Sequence, residues 1–191
     1  MRFPRKLVLA SLLLISCSTI PVFDSYPNFL EEHSGTVYSD KLNFKMNWEM
    51  TKRSNKYLKE VSSGTAGVSK TWLMDFGKMM RATLESNDVK RNFVSLVEGA
   101  KNQNDVHAII DVIDFGFASH HSIIKLRIDV SRGDKPIFSN TYEEVGDSKG
   151  ADMFLYGPTK MGTGMQESTK SAMDKILKVF LRDLKVLSPP L

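Results

Sequence analysis

The sequence predicts an α+β domain in which a mostly antiparallel sheet of about four to five strands carries two amphipathic helices on one face. Three observations support this fold class. Residues 122–130 alternate apolar and polar side chains, as a half-buried strand does. Residues 165–184 repeat apolar side chains at helical spacing. The order of the predicted elements, a strand, a helix, several strands and a helix, is typical of helices that cover one face of a sheet.

The first predicted elements are a strand, a loop and a helix. Within residues 36–50, every second residue from Leu42 to Met50 is apolar, which predicts a half-buried strand. Residues 51–69 are polar and rich in serine and glycine, and they predict a loop. Ser69 is then expected to cap a helix. The buried face of this helix is predicted to consist of Trp72, Leu73, Phe76, Met79, Met80 and Leu84.

The second half of the sequence predicts further strands and a long final helix. Residues 92–97 indicate a short edge strand, and residues 107–118 are apolar on both faces, as in a central strand. With residues 122–130 and 136–145, this central strand forms a predicted three-stranded antiparallel meander. A glycine-rich loop over residues 146–164 leads to the last helix, which the prolines after Ser188 terminate.

The N-terminus has the three parts of a secretory signal. Cations at Arg2, Arg5 and Lys6 precede an apolar run over residues 7–15, which is followed by small residues. This run is too short to span a membrane, which takes about 20 apolar residues. Loss of the three cations on cleavage lowers the formal net charge from +4 to +1. A nearly neutral domain offers no electrostatic basis for binding nucleic acid.

The end of this signal, Leu14-Ile15-Ser16-Cys17, resembles the lipobox of bacterial lipoproteins. The resemblance implies that Cys17 carries a diacylglyceryl group and becomes the first mature residue. It also implies an outer-membrane location on the periplasmic side, because Ser18 rather than aspartate follows the cysteine; the inner membrane and the cell surface remain alternatives. Ordinary secretion with cleavage near Ser18, which would discard Cys17, is the alternative to lipidation.

These features divide the chain into a signal peptide over residues 1–16, a lipidated cysteine with an extended tether over 17–35, a single domain over 36–187, and a tail over 188–191. Pro21 and Pro27 suit an extended tether, although Phe23, Tyr26 and Phe29 could pack on the domain. Cys17 is the sole cysteine. An internal disulfide and a cysteine-based zinc site are therefore excluded.

Several residues are candidates for chemistry, and each has a simpler explanation. Asp111 and Asp114 lie on the predicted central strand, but a spacing of three places them on opposite faces of a regular strand. The four histidines, at positions 33, 107, 120 and 121, lack the spacing of a known metal site. Residues 157–164 lack the Lys-Ser/Thr of a phosphate-binding loop. Arg132-Gly133-Asp134 matches an adhesion tripeptide, but it also suits a tight turn. No catalytic residue, metal ligand or cofactor is predicted.

One segment is a candidate partner-binding surface. Met153, Phe154, Leu155 and Tyr156 are consecutive apolar residues in the predicted loop, and Met161 follows them. Such residues either pack back on the core or form an exposed patch, and an exposed patch marks a contact with a partner or a membrane. Methionine suits adaptable binding surfaces.

With the lipobox and this order of elements, the mature chain resembles small envelope lipoproteins that assist outer-membrane assembly or transport. The group includes the lipopolysaccharide-assembly lipoprotein, the auxiliary lipoproteins of lipid-transport ABC systems and the YajG-like lipoproteins. The resemblance implies a non-enzymatic binding or assembly module whose partner is an envelope protein or lipid. The alternatives are an envelope hydrolase or metal-binding enzyme that uses Asp111, Asp114 or the histidines, and an adhesin that uses residues 132–134.

Overall fold

The computed structural model describes residues 19–65, 68–99, 105–148 and 158–187. In chain order, the strands are β1 (Thr19–Pro21), β2 (Lys45–Met50), β3 (Leu58–Thr65), β4 (Val68–Asp75), β5 (Ser95–Glu98), β6 (Val106–Ala118), β7 (His121–Arg132) and β8 (Lys135–Val145). The helices are α1 (Tyr26–Glu32), α2 (Phe76–Glu85), α3 (Asn87–Lys90) and α4 (Pro158–Leu187), with a 3₁₀ turn at Ser54–Lys56. The predicted α+β class is confirmed.

The larger sheet has five strands in the order β5-β2-β6-β7-β8. Its second half, β6-β7-β8, is the predicted antiparallel meander, and β5 is the predicted edge strand. The first half is parallel, because β2 pairs in the same direction with both β5 and β6. The sheet is therefore mixed rather than mostly antiparallel. The chain between β2 and β6 contains a hairpin and two helices, and such a long crossover is what parallel pairing requires.

Helices α2 and α4 cover one face of this sheet. Phe76 of α2 stacks on Phe115 of β6, with the ring centroids 4.4 Å apart. Phe180 of α4 meets the edges of Phe138 and Tyr142 on β8. The opposite face carries ion pairs. One joins Lys125 to Glu143 at 2.7 Å, and another joins Arg127 to Asp111 at 3.3 Å.

A second sheet, in the order β1-β4-β3, occupies residues predicted as a loop and the start of a helix. Strands β3 and β4 form an antiparallel hairpin, and Ser69 lies within β4 instead of capping a helix. Helix α2 begins at Phe76, and its cap is Asp75, whose Oδ1 accepts from the backbone N–H of Lys78 at 3.0 Å. The prediction failed because Trp72 and Met74 are buried on β4 and Phe76 is buried at the start of α2, which leaves Trp72 and Phe76 four residues apart. That spacing fits a helical period and also the alternation of a strand.

The predicted tether is largely part of the domain. Residues 19–32 form β1 and α1, and the side chains of Val22, Tyr26, Phe29 and Leu30 are buried in the core. The side chain of Gln166 on α4 donates to the carbonyl oxygen of Val22 at 2.9 Å. Three of these apolar residues lie at i, i+3 and i+4, and Pro27 occupies the first turn, where a helix tolerates proline. The described residues of the predicted tether, from Thr19 onward, therefore pack on the domain.

Strand β2 is also shorter than the predicted strand over residues 36–50, since it begins at Lys45. The residues before it follow another path. The backbone N–H of Leu42 donates to the carbonyl oxygen of Asn92 at 2.7 Å, outside the sheet ladder. Leu42 is still buried, at 4% exposure. Its apolar character therefore indicates burial without indicating a strand.

Helix α4 spans 30 residues and begins inside the predicted glycine-rich loop, at Pro158. Proline suits the first position of a helix. The helix lies along β7 and β8. The helix packs closely on Gly146, because an added Cβ at this position would lie 1.8 Å from the carbonyl oxygen of Ser168. Among the described residues, no helix combines the length and the apolar content needed to cross a bilayer.

Candidate functional site

Asp111, one of the two carboxylates singled out in the sequence, holds the 3₁₀ turn against β6. Its Oδ1 accepts from the hydroxyls of Thr51 at 2.9 Å and Ser54 at 3.1 Å. Its Oδ2 accepts from the guanidinium of Arg127 at 3.3 Å. The hydroxyl of Ser54 also accepts from the backbone N–H of Val112 at 2.7 Å. These bonds account for the carboxylate as a structural group.

Asp114 lies beside a β-bulge in β6, where the register shifts between Val112 and Asp114. The bulge places Asp114 beside Lys125, on the same face as Asp111 beside Arg127, and not on the opposite face as in a regular strand. The hydroxyl of Tyr57 donates to Asp114 at 3.2 Å and accepts from the backbone N–H of Phe115 at 3.2 Å. Arg53 donates to the carbonyl oxygen of Val112 at 2.7 Å. The 3₁₀ turn and Tyr57 therefore stabilise the bulge. Sequence reasoning missed this cluster because its donors come from a predicted loop.

The four histidines are dispersed. The Nδ1 of His33 is 2.9 Å from the carbonyl oxygen of Phe29, at the end of α1. His107 is buried on β6, 3.8 Å from Glu49. His120 lies in the turn between β6 and β7, and the Nδ1 of His121 is 2.7 Å from the carbonyl oxygen of Gly146. Within the ranges that the structure describes, no group of three His, Cys, Asp or Glu residues could hold a metal ion.

The remaining predicted residues are placed as follows. Arg132 is the last residue of β7, and Gly133 and Asp134 form the turn to β8. Gly133 has a φ of 53°, which glycine adopts without strain. Met161 is 8% exposed and packs in the core, so it does not contribute to an exposed patch. Cys17 and the segment Met153, Phe154, Leu155 and Tyr156 lie outside the described residues.

Two open grooves flank α1. One, of about 440 Å³, is lined by residues including Pro27, Leu30 and Asp88. The other, of about 470 Å³, lies beside α4 and is lined by residues including Lys170 and Asp174. Small-molecule sites are typically enclosed and mostly apolar. Asp88, Lys170 and Asp174 in these grooves instead bond to other side chains or to the backbone.

The groups in these grooves form a clamp on residues 33–42, the loop that follows α1. Asp174 accepts from the hydroxyls of Tyr38 at 2.6 Å and Thr36 at 3.0 Å, and from Lys170 at 2.7 Å. Asp88 accepts from the backbone N–H groups of Gly35 at 2.8 Å and Thr36 at 2.9 Å. Together these bonds fix the loop to α3 and α4.

Two buried tyrosines next to this clamp predict a loss of stability in alkali. Burial raises the pKa of Tyr38 well above its usual range, and the charge of Asp174 raises it further. Burial also raises the pKa of Tyr26. Above about pH 10, the unfolded chain releases both protons while the folded chain keeps them. The free energy of unfolding should then fall by about 1.4 kcal/mol per pH unit for each tyrosine.

Urea titrations between pH 9 and 11 would measure this loss. The matched variant is Tyr38→Phe, which removes one titrating phenol. Above about pH 10, its free energy of unfolding should fall less steeply with pH, by about 1.4 kcal/mol per pH unit. An identical slope in the two proteins would show that Tyr38 ionises normally in the folded state.

One accessible recognition feature is the outer edge of β8. This strand is 11 residues long, and in the described part of the chain it pairs only with β7. Its side chains at Ser139, Thr141 and Glu143 are exposed. On the other face, the hydroxyl of Tyr142 donates to Asp183 of α4 at 3.0 Å, so the helix supports the strand from behind. Long edges of this kind offer backbone N–H and C=O groups to another strand.

The two ends of β8 carry the residues that normally block strand addition. Lys135 and Pro136 lie at its start, and Glu143 and Glu144 lie near its end. Lys175 donates to the carbonyl oxygen of Val145 at 2.8 Å. Residues 137–142 between them contain no charge, proline or glycine. The accessible edge is therefore limited to this window, which we call the β8 window.

Comparison with known proteins shows a likeness of fold to a solved structure. No protein-family model and no curated protein sequence matches this chain. The fold is similar to the crystal structure of protein XCC0632 from Xanthomonas campestris, which is described by the family model DUF330. The TM-score is 0.52 and the identity 9%, and the match covers 79% of this chain and 91% of that one. At this identity the likeness shows a shared fold with a bacterial DUF330 protein.

Proposed function

We propose that the chain is a lipoprotein of the bacterial envelope, anchored through Cys17, that acts as a non-enzymatic binding or assembly module. Its location is the periplasmic side of the outer membrane. The lipobox supports the anchor, and the fold is similar to that of a bacterial DUF330 protein. Anchoring raises the local concentration of a binding module near partners in the same membrane.

The observation that carries the proposed binding activity is the β8 window. An extended segment of an envelope protein would add as a sixth strand beside residues 137–142. Backbone hydrogen bonds provide affinity in this mode, while alternate side chains provide specificity. Ser139 and Thr141 are exposed on one face, and Phe138 and Tyr142 pack under α4 on the other. Asp111, Asp114 and the Gly133 turn have structural explanations, so we propose neither the hydrolase nor the adhesin.

Site-specific photocrosslinking in cells would test this proposal. A photoreactive amino acid at Thr141 should give a covalent adduct of defined mass with an envelope protein. The same group at Ser62, an exposed residue on the edge strand β3 of the other sheet, is the matched control and should give no adduct with a protein.

A second arm tests the edge itself. Ser139→Lys places a charge in the β8 window, and edge lysines oppose strand addition. This variant should lose the adduct at Thr141, whereas Ser62→Lys should retain it. Circular dichroism would verify that both variants fold. Equal adducts from both positions, or an adduct that survives Ser139→Lys, would contradict the proposal.

A further inference from the structure

The direction of β1 determines which end of the domain faces the anchor. Strand β1 pairs in parallel with β4, so that Thr19 lies beside Thr71, and Thr71 lies beside Ser62 of β3. The direction from Pro21 back to Thr19 is therefore the same as the direction from Leu73 back to Thr71. That direction leads to the closed end of the β3–β4 hairpin.

The short segment between Cys17 and Thr19 limits how far the lipid anchor can lie from the hairpin. Only Ser18 separates Cys17 from Thr19. Two residues span about 7 Å even when they are fully extended. The hairpin continues past the level of Thr19, because the pair Thr65 and Val68 lies three residues beyond Ser62 and Thr71. Three residues of a strand extend about 10 Å. The hairpin thus reaches at least as far as the chain to Cys17 can.

We infer that the closed end of the β3–β4 hairpin, residues 62–65 and 68–71, lies against the lipid headgroups of the membrane that holds Cys17. This inference rests on the anchor in the proposed function. Headgroups occupy about 5 to 8 Å on each side of the hydrocarbon core, so a hairpin end within that distance of the lipidated residue contacts them.

The composition of the two hairpin segments is compatible with contact with lipid headgroups. They contain no acidic residue, and Lys70 is their one charge. The other residues are serine, threonine, glycine and valine, which bring no repulsion toward anionic headgroups. A basic residue near an anionic membrane surface is attracted to it.

The orientation can be measured with full-length lipidated protein in vesicles of phosphatidylethanolamine and phosphatidylglycerol. The lipid occupies the sole native cysteine, so Ser62→Cys provides a single free thiol for a fluorescent probe. Lipids that are spin-labelled at the headgroup should quench this probe several-fold more strongly than the same probe at Ser139→Cys. Insertion of a flexible 12-residue spacer between Ser18 and Thr19, which spans on the order of 20 Å, should abolish that difference.

The possible results distinguish a failure of the hairpin contact from a failure of the lipid anchor. Mass spectrometry of the N-terminal peptide is done first, and an unmodified Cys17 would overturn both. A lipidated Cys17 with a probe at Ser62 that is quenched no more than the probe at Ser139 would overturn the hairpin contact alone. Preferential quenching at Ser62 that persists unchanged with the spacer would also overturn the inference, because the short linkage would not be its cause.

Discussion

Replacing Asp174 with alanine is expected to lower the free energy of unfolding by about 3 to 5 kcal/mol, the cost of removing one partner from a buried ion pair. Asp174 and Lys170 are only 17% and 13% exposed, and their charged atoms are 2.7 Å apart. The alanine variant leaves the ammonium of Lys170 without its carboxylate partner. The hydroxyls of Tyr38 and Thr36 lose the same acceptor.

Urea denaturation of the single and double variants would measure this effect. Lys170→Met combined with Asp174→Leu replaces the pair with apolar side chains of similar size, and this exchange is often neutral or stabilising. The double variant should therefore be more stable than Asp174→Ala. A loss below about 1 kcal/mol in Asp174→Ala would show that the pair behaves as a solvated surface pair.

Replacing Phe29 with alanine is expected to cost about 3 to 5 kcal/mol, the usual loss for a buried phenylalanine. Phe29 is 5% exposed. Its ring stacks on that of His33, with the centroids 4.1 Å apart, and it lies beside Tyr26. The same substitution in an extended tether would leave the free energy of unfolding almost unchanged. The measurement therefore distinguishes a tether from a core helix.

The matched control for Phe29 is Glu31→Ala, because Glu31 is an exposed residue of the same helix. It should change the stability by less than about 0.5 kcal/mol. If both substitutions in α1 were equally harmless, α1 would not contribute to the stability of the domain.

The elements that the sequence predicted well are those whose pattern has a single period. Ile124, Leu126, Ile128 and Val130 alternate without interruption, and all four are buried on β7. The stripe from Met165 to Leu184 repeats only at helical spacing, and it lies in α4. Patterns of this kind depend on local geometry and burial, so they are readable without the tertiary structure.

The errors have two physical causes: a local pattern that does not identify the structure, and a deciding contact that lies far along the chain. Residues 58–65 are polar and resemble a loop, yet pairing with β4 makes them a strand. Strand β1 has three residues, and its partner is some 50 residues away. The parallel pairing of β2 with β6 likewise leaves no local signal. The β8 window could have been noticed as an uncharged run, but only the strand order shows that it lies at an edge.

The contact of Gln166 with Val22, and those of Lys170 and Lys185 with Thr36 and Asp40, join the two ends of the described chain. This arrangement is expected to lower the folding rate. Contacts of such high sequence separation must close long loops before they contribute stability, and they slow folding. Helix α1 cannot acquire its final packing until α4, the last described element, has left the site of synthesis. The N-terminal segment therefore cannot reach its final packing before the C-terminal helix is available.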